Sequence, residues 1–108
     1  MANKKLSPEA ITRVAERFKL LSEPVRLQIL HALQDGPLSV NELTESVNTS
    51  QPNVSKHLKM LLDAGVLSRE RAGNTAFYEI ADASIFELCE TVCGSLERRM
   101  RSEAEIFG

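Results

Sequence analysis

Between positions 50 and 74 the chain gathers Ser50, Gln51, Asn53, Ser55, Lys56, His57, Lys59, Arg69, Arg71 and Asn74. These types suit recognition of a polyanion that carries base edges. Side-chain amides such as Gln51 and Asn53 can pair with N6 and N7 of adenine, and Lys56 can pair with O6 and N7 of guanine. The Ser50 hydroxyl and an adjacent helix N-terminus suit phosphate oxygens. Lys59, Arg69 and Arg71 add positive charge. His57 lies on the flank of the same helix, as a phosphate contact or a partly buried helix residue. Each of these residues alone would fit an ordinary solvated helix. The order carries the signal: a polar-headed helix followed by an arginine-bearing hairpin.

A second constellation is smaller. Cys89 and Cys93 stand four apart, hence on one side of a helix. Three readings stay open for them. They could bind a soft ion such as arsenite, act as a redox switch, or simply pack as small hydrophobes. A disulfide within the helix is unfavourable. Residues four apart have Cβ atoms about 5–6 Å from each other, and a disulfide needs about 3.5–4.5 Å. His31 has no cysteine or carboxylate at ligand spacing and reads as surface or packing. No dense metal-ligand motif is present.

The elements that must position these residues follow from turn and cap signals. Ser7-Pro8-Glu9 starts a helix whose apolar stripe is Ile11, Val14, Ala15, Phe18 and Leu21. Ser22 is expected to cap a second helix opened by Glu23-Pro24, which stops at Asp35-Gly36-Pro37. Ser39 and Glu42 form a capping box for a short third helix that ends near Asn48-Thr49. Ser50-Gln51-Pro52 opens the fourth, with Val54, Leu58, Leu61 and Leu62 inward, Pro52, Asn53, Lys56 and Lys59 outward, and Gly65 as terminator. Val66–Arg71 and Thr75–Ile80 read as a β-hairpin, in which Arg69 and Arg71 share a face. Asp82 or Ser84 starts the last helix, with Ser84 and Glu87 as a second capping box. Its stripe is Ile85, Leu88, Cys89, Val92, Cys93, Leu96 and Met100.

Two short helices joined by a tight turn and followed by a hairpin make a winged helix-turn-helix. The expected fold is α+β, mostly helical, with a two-stranded wing. The fourth helix would enter the major groove of double-stranded DNA.

Composition bounds the rest. The chain has 108 residues, 43% hydrophobic and 26% charged, within the range of one folded domain. No apolar run approaches the roughly 20 residues of a membrane span. Met1 to Leu6 is polar and basic with no apolar run behind it, so a cytoplasmic protein with reduced thiols is expected. The net charge of −2 excludes a uniformly basic coat, and its distribution is informative. Ser50–Arg71 carries four basic residues against two acids, whereas Ala76–Glu97 carries five acids and no Lys or Arg. No glycine-rich phosphate loop, catalytic carboxylate pair or Cys–His arrangement points to an enzyme.

Several stretches resemble the ArsR-type (ArsR/SmtB) family of bacterial winged-helix repressors. Leu21–Leu30 is similar to its second-helix signature, and Ser50–Leu61 to its recognition helix. Asp63–Leu67 and Arg71–Tyr78 are similar to its helix end and wing. The resemblance implies one domain over 1–108, with a DNA-binding core at about 38–80. It implies a homodimer formed by helices at about 8–21 and 82–102, with Ile85, Cys89, Val92, Leu96 and Met100 at the interface. It also implies repression of an operator, and in many members release of DNA by a metal ion, metalloid or oxidant. No cofactor is required; trivalent arsenic, antimony or another soft metal is the implied inducer class, with Cys89 and Cys93 as candidate ligands. Departures leave the inducer open. Val40–Thr44 lacks the cysteines of family metalloid sensors, no histidine accompanies Asp82 on the last helix, and Asn74 stands at the wing tip where a basic residue is frequent. The competing reading is a winged-helix protein-interaction module that neither binds DNA nor senses an inducer.

Overall fold

The computed structural model describes residues 5–107; the terminal residues of the 1–108 span lie outside it. The helices are α1 (Pro8–Leu21), α2 (Pro24–Ala32), α3 (Val40–Ser46), α4 (Gln51–Asp63) and α5 (Ser84–Phe107), with a 3-10 turn at Leu33–Asp35. The strands are β1 (Leu38–Ser39), β2 (Leu67–Ala72) and β3 (Thr75–Ile80). They form an antiparallel sheet in the order β1-β3-β2. The fold is a winged helix-turn-helix, and its wing is tied to the body by a third strand. Leu38 pairs with Tyr78 and Ser39 with Phe77. A two-residue strand is too short for an alternation signal, so the hairpin alone was expected.

Local chemistry sets the boundaries. In the capping box of α3, the Glu42 amide donates to Ser39 Oγ (3.2 Å) and the Ser39 amide to Glu42 Oε1 (3.0 Å). The helix ends at Ser46, earlier than expected. At the far end of α4, Gly65 adopts φ +76°. There the Val66 amide donates to the Leu61 carbonyl and the Gly65 amide to that of Leu62, both at 3.0 Å. This is a Schellman motif, and it buries Val66 beside Leu61.

Two cap assignments are corrected. Ser22 closes α1, its hydroxyl donating to the Lys19 carbonyl at 2.7 Å. Glu23 caps α2, accepting from the Arg26 amide at 3.1 Å. A carboxylate at that position satisfies the same orphan donor and meets the helix dipole favourably. At the start of α5, Asp82 Oδ1 accepts from both the amide (3.1 Å) and hydroxyl (2.6 Å) of Ser84. Ser84 is therefore the first helical residue and forms no capping box with Glu87. The helix runs past the expected end near 102.

The core lies where α2, α3, α4 and the base of the wing meet. Ile29, Leu30, Leu43, Val54, Leu58, Leu61 and Val66 are fully enclosed. The arrangement fixes α4 on three sides and leaves one face open. No described helix is long and apolar enough to cross a membrane.

Candidate nucleic-acid interface

On α4, every inward position expected from the sequence except Leu62, which is half-buried, is enclosed. The opposite face carries Gln51, Ser55, Lys56 and Lys59, all exposed. Ser50 caps the helix: its Oγ accepts from the Asn53 amide at 3.3 Å, and its hydroxyl proton remains available to a phosphate. Asn53 is half-buried because its Nδ2 donates to Thr49 Oγ1 at 3.0 Å. That bond fixes the amide at the start of the helix while leaving its carbonyl oxygen and second N–H. Lys59 Nζ lies 3.1 Å from Asp63 Oδ2 in an exposed pair one turn on. Such a pair holds by only about 0.2–1 kcal/mol, so a phosphate can replace the carboxylate.

The wing places its arginines as the alternation required. Arg69 stands opposite Tyr78 and Arg71 opposite Ala76, on the same sheet face as the pair Leu67 and Ile80. At the base of that face Leu67 and Tyr78 enter the core, whereas Arg69 and Arg71, farther out, are exposed. Glu70 falls on the other face, away from the arginines. The hairpin turns on Gly73 (φ +65°) and Asn74, with Ala72 paired to Thr75. Positive φ at the first of two loop residues is the geometry that glycine supplies to a type II′ turn. Asn74 is exposed at the tip.

His57 is a correction. It is only 6% exposed and faces the protein interior, where Arg26 Nη1 lies 3.0 Å from its Nδ1 and the Glu23 carboxylate 3.8 Å from its Nε2. It has no surface left for a phosphate. Helical angle alone put it at the margin of the buried face; the margin is closed by α2, which periodicity within α4 does not reveal.

Ile85 is the second correction. It is buried within the protomer, part of the core and not of an outer face. The stripe of α5 splits along its length. Leu88 and Cys89 are half-buried against the core, whereas Val92, Leu96 and Met100 are 49%, 55% and 68% exposed. On α1, Ile11, Val14 and Phe18 are likewise open, at 44–54%.

Cys89 and Cys93 line a groove of about 470 Å³ between α2 and α5, together with Leu27, Leu30, His31 and Phe86. Sequence spacing gave His31 no such neighbours. Burial pushes the Cys89 thiol above its ordinary pKa, whereas Cys93 is exposed. Among the described residues no group of three or more His, Cys, Asp or Glu side chains could hold a metal ion. The groove thus holds two thiols, Cys89 and Cys93.

Residues 23–69, from the cap of α2 into the wing, match the family described as bacterial regulatory protein, arsR family. NmtR, an HTH-type transcriptional regulator of Mycobacterium tuberculosis, is 34% identical over 85 residues, covering 79% of this chain and 71% of that protein. The chain belongs to the ArsR family. The antimony-specific transcriptional repressor AntR superposes with a TM-score of 0.81 at 28% identity, over 94% of this chain and 92% of that one. Mb0332 of Mycobacterium bovis, described as a homodimeric winged helix-turn-helix DNA-binding domain, gives 0.78 at 25% identity over 94% and 95%. Across four curated relatives, this ArsR-family chain spans between 55% and 71% of the relative's length.

Proposed function

We propose that the chain is a homodimeric, sequence-specific DNA-binding repressor working in the cytoplasm, with no catalytic activity. One observation carries the reading. The inward face of α4 is locked into the core, and its outward face and the Arg69–Arg71 face of the wing offer exposed hydrogen-bonding and cationic groups. In this reading residues 38–80 form the DNA-binding core of a single domain. Helix α4 enters the major groove, with Gln51, Asn53, Ser55 and Lys56 at base edges. Ser50, Lys59, Arg69, Arg71 and Asn74 hold the phosphates. Helices α1 and α5 pair with those of a second copy. Two recognition helices then demand an imperfect palindrome with half-sites about one helical turn apart.

Footprinting on the DNA upstream of its own gene tests the reading, followed by titrations at several salt concentrations. Lys59→Ala and Arg71→Ala should weaken all sequences alike and reduce the salt slope by about 1 each. Gln51→Ala and Asn53→Ala should instead relax preference at one position per half-site, by about 1–3 kcal/mol. Equal specificity ratios for wild type and both amide variants would refute the base-contact assignment, and absence of any protected site would refute the function.

The inducer class follows from the thiol pair. We infer a thiol-binding soft agent, with a monosubstituted trivalent arsenical as its probe, because such a species needs only two sulfur ligands and the groove has room for its organic group. The volume falls within the range of about 300–1,000 Å³ usual for small-molecule sites. Similarity to an antimony-specific repressor supports the same class. Phenylarsenite should lower operator affinity of the wild type by about 5- to 150-fold, the usual span of allosteric coupling. A Cys89→Ala/Cys93→Ala variant, checked for folding, should not respond. Identical responses would return both cysteines to a packing role.

A further inference from the structure

Arg26 lies in the first turn of α2 and is 8% exposed, an unusual place for a guanidinium. Its contacts tie three helices together. Nε donates to the Leu20 carbonyl at the end of α1. Nη1 lies 3.0 Å from Nδ1 of His57 and 3.5 Å from Sδ of Met60, both on α4. The Arg26 amide is held by the Glu23 carboxylate, whose Oε2 is also 3.8 Å from Nε2 of His57. Resting on the DNA-binding reading of α4, we propose that Arg26 and His57 are positioning residues that set the seat of the recognition helix, and that this seat, and with it DNA affinity, depends on His57 being neutral.

The chemistry of the two groups makes the dependence specific. Guanidinium has five N–H donors and no acceptor, and it stays charged at all working pH values. The 3.0 Å contact is therefore a hydrogen bond only when Nδ1 carries a lone pair. The ring proton must then sit on Nε2, toward Glu23. A second proton would place Nδ1–H against the guanidinium N–H and put two positive charges in contact inside the protein. The bond from α2 to the middle of α4 would become a repulsion.

The surrounding charges do not cancel this. The charged groups that act on the ring are Arg26 and its cap neighbour Glu23 from α2 and Lys56 from α4 itself, while the Leu20 carbonyl of α1 anchors Arg26. Glu23 favours the cation; Arg26 and Lys56 oppose it. Burial is the largest influence and holds the ring below its ordinary pKa. The neutral form is thus the folded form. Its contribution is complete above the unfolded-state value of about 6.5 and is lost as pH falls through that value toward the lower folded one. Simple packing of an apolar residue at position 57 would show none of this.

Two measurements test the proposal, the first without DNA. Long-range proton–nitrogen correlation spectra of the ¹⁵N-labelled protein should show Nε2 protonated and Nδ1 unprotonated at pH 7.5. On acidification, the amides of α4 around Met60 should shift with the ring. A proton on Nδ1, or a ring that titrates while α4 stays still, would overturn it. The second compares operator affinity at pH 7.5 and pH 5.5 for wild type and His57→Gln, whose side-chain carbonyl offers Arg26 an acceptor that cannot be protonated. His57→Gln should bind near wild-type strength at pH 7.5. The wild type should lose about 3- to 10-fold more affinity than His57→Gln on acidification, the equivalent of half to one pKa unit of coupling. Arg26→Lys, which keeps the charge but loses the fork, should bind more weakly at both pH values. Equal pH profiles for wild type and His57→Gln would overturn the coupling. A wild type that binds no DNA at either pH would overturn the repressor reading and the DNA half of this inference, leaving the ring and amide titrations to decide the seating of α4.

Discussion

Replacing Val92 and Leu96 together by glutamate is expected to split the dimer and to cost about 10²- to 10⁴-fold in operator affinity, with the protomer fold intact. Both residues are about half exposed in the protomer, so neither substitution opens a cavity. Val92, Leu96 and Met100 recur every four residues and form one outer seam of α5, and Ile11, Val14 and Phe18 leave a second on α1. Contiguous exposed apolar surface of this kind marks an interface in a small soluble domain. Glutamate at the centre of such a seam would be buried without a partner, which costs far more than the lost apolar contact. Once the protomers separate, the second half-site is no longer bound at the high effective concentration that linkage provides, and that loss sets the expected factor. Sedimentation equilibrium at micromolar concentration reads the mass, and a titration of operator DNA reads the affinity. A variant that remains dimeric and binds as tightly as wild type places the interface on another surface. The apparent folding stability is expected to fall as well, because association no longer adds to that of the protomer.

That the apolar stripe of α5 has two parts was only half legible in the sequence. Its stripe from Ile85 to Met100 follows one helical period, and periodicity says which side is apolar, not what covers it. The structure divides the stripe at Cys89: the N-terminal part packs on the protomer's own core, and the rest leaves it. Elements whose signals are local were legible: the Ser39–Glu42 box, the Gly65 terminator, the inward set of α4 and the shared face of Arg69 and Arg71. What was missed depends on distant partners. Strand β1 exists because Leu38 meets Tyr78, a residue forty positions later. Of the two readings open for His57, a phosphate contact or a partly buried helix residue, the buried one holds because Arg26, on a different helix, supplies a hydrogen bond to its ring. At Ser22 and Glu23 two adjacent residues were both competent caps, and the end of α1 claimed the first. An arginine between Val25 and Leu27, in the first turn of a largely apolar helix, was a usable signal for a buried polar link, since such a residue needs an internal acceptor once buried.

Truncating Leu58 to alanine should separate the scaffold of α4 from its reading surface. Leu58 is 1% exposed, in the core cluster with Leu43 from α3, Val47 just beyond that helix and Leu61 from its own helix. Removing a leucine side chain from such a site leaves a cavity that neighbours fill only in part, and the expected loss is about 2–5 kcal/mol of folding stability. For a chain of this size that is a large share of the total. Lys56, two residues earlier and exposed, should behave in the opposite way: Lys56→Ala should change stability by no more than about 0.5 kcal/mol while weakening operator binding. Denaturant titration gives the stabilities, and DNA titration below the unfolding transition, corrected for folded fraction, gives the affinities. The result that supports the assignment is a crossed one, in which Leu58→Ala is unstable yet binds normally when folded and Lys56→Ala is stable yet binds poorly. If Leu58→Ala bound DNA poorly even when fully folded, the orientation of α4 would depend on the packing beneath it as well as on Arg26 and His57. Were Lys56→Ala to bind normally, the outward face of α4 would not be the surface that reads DNA.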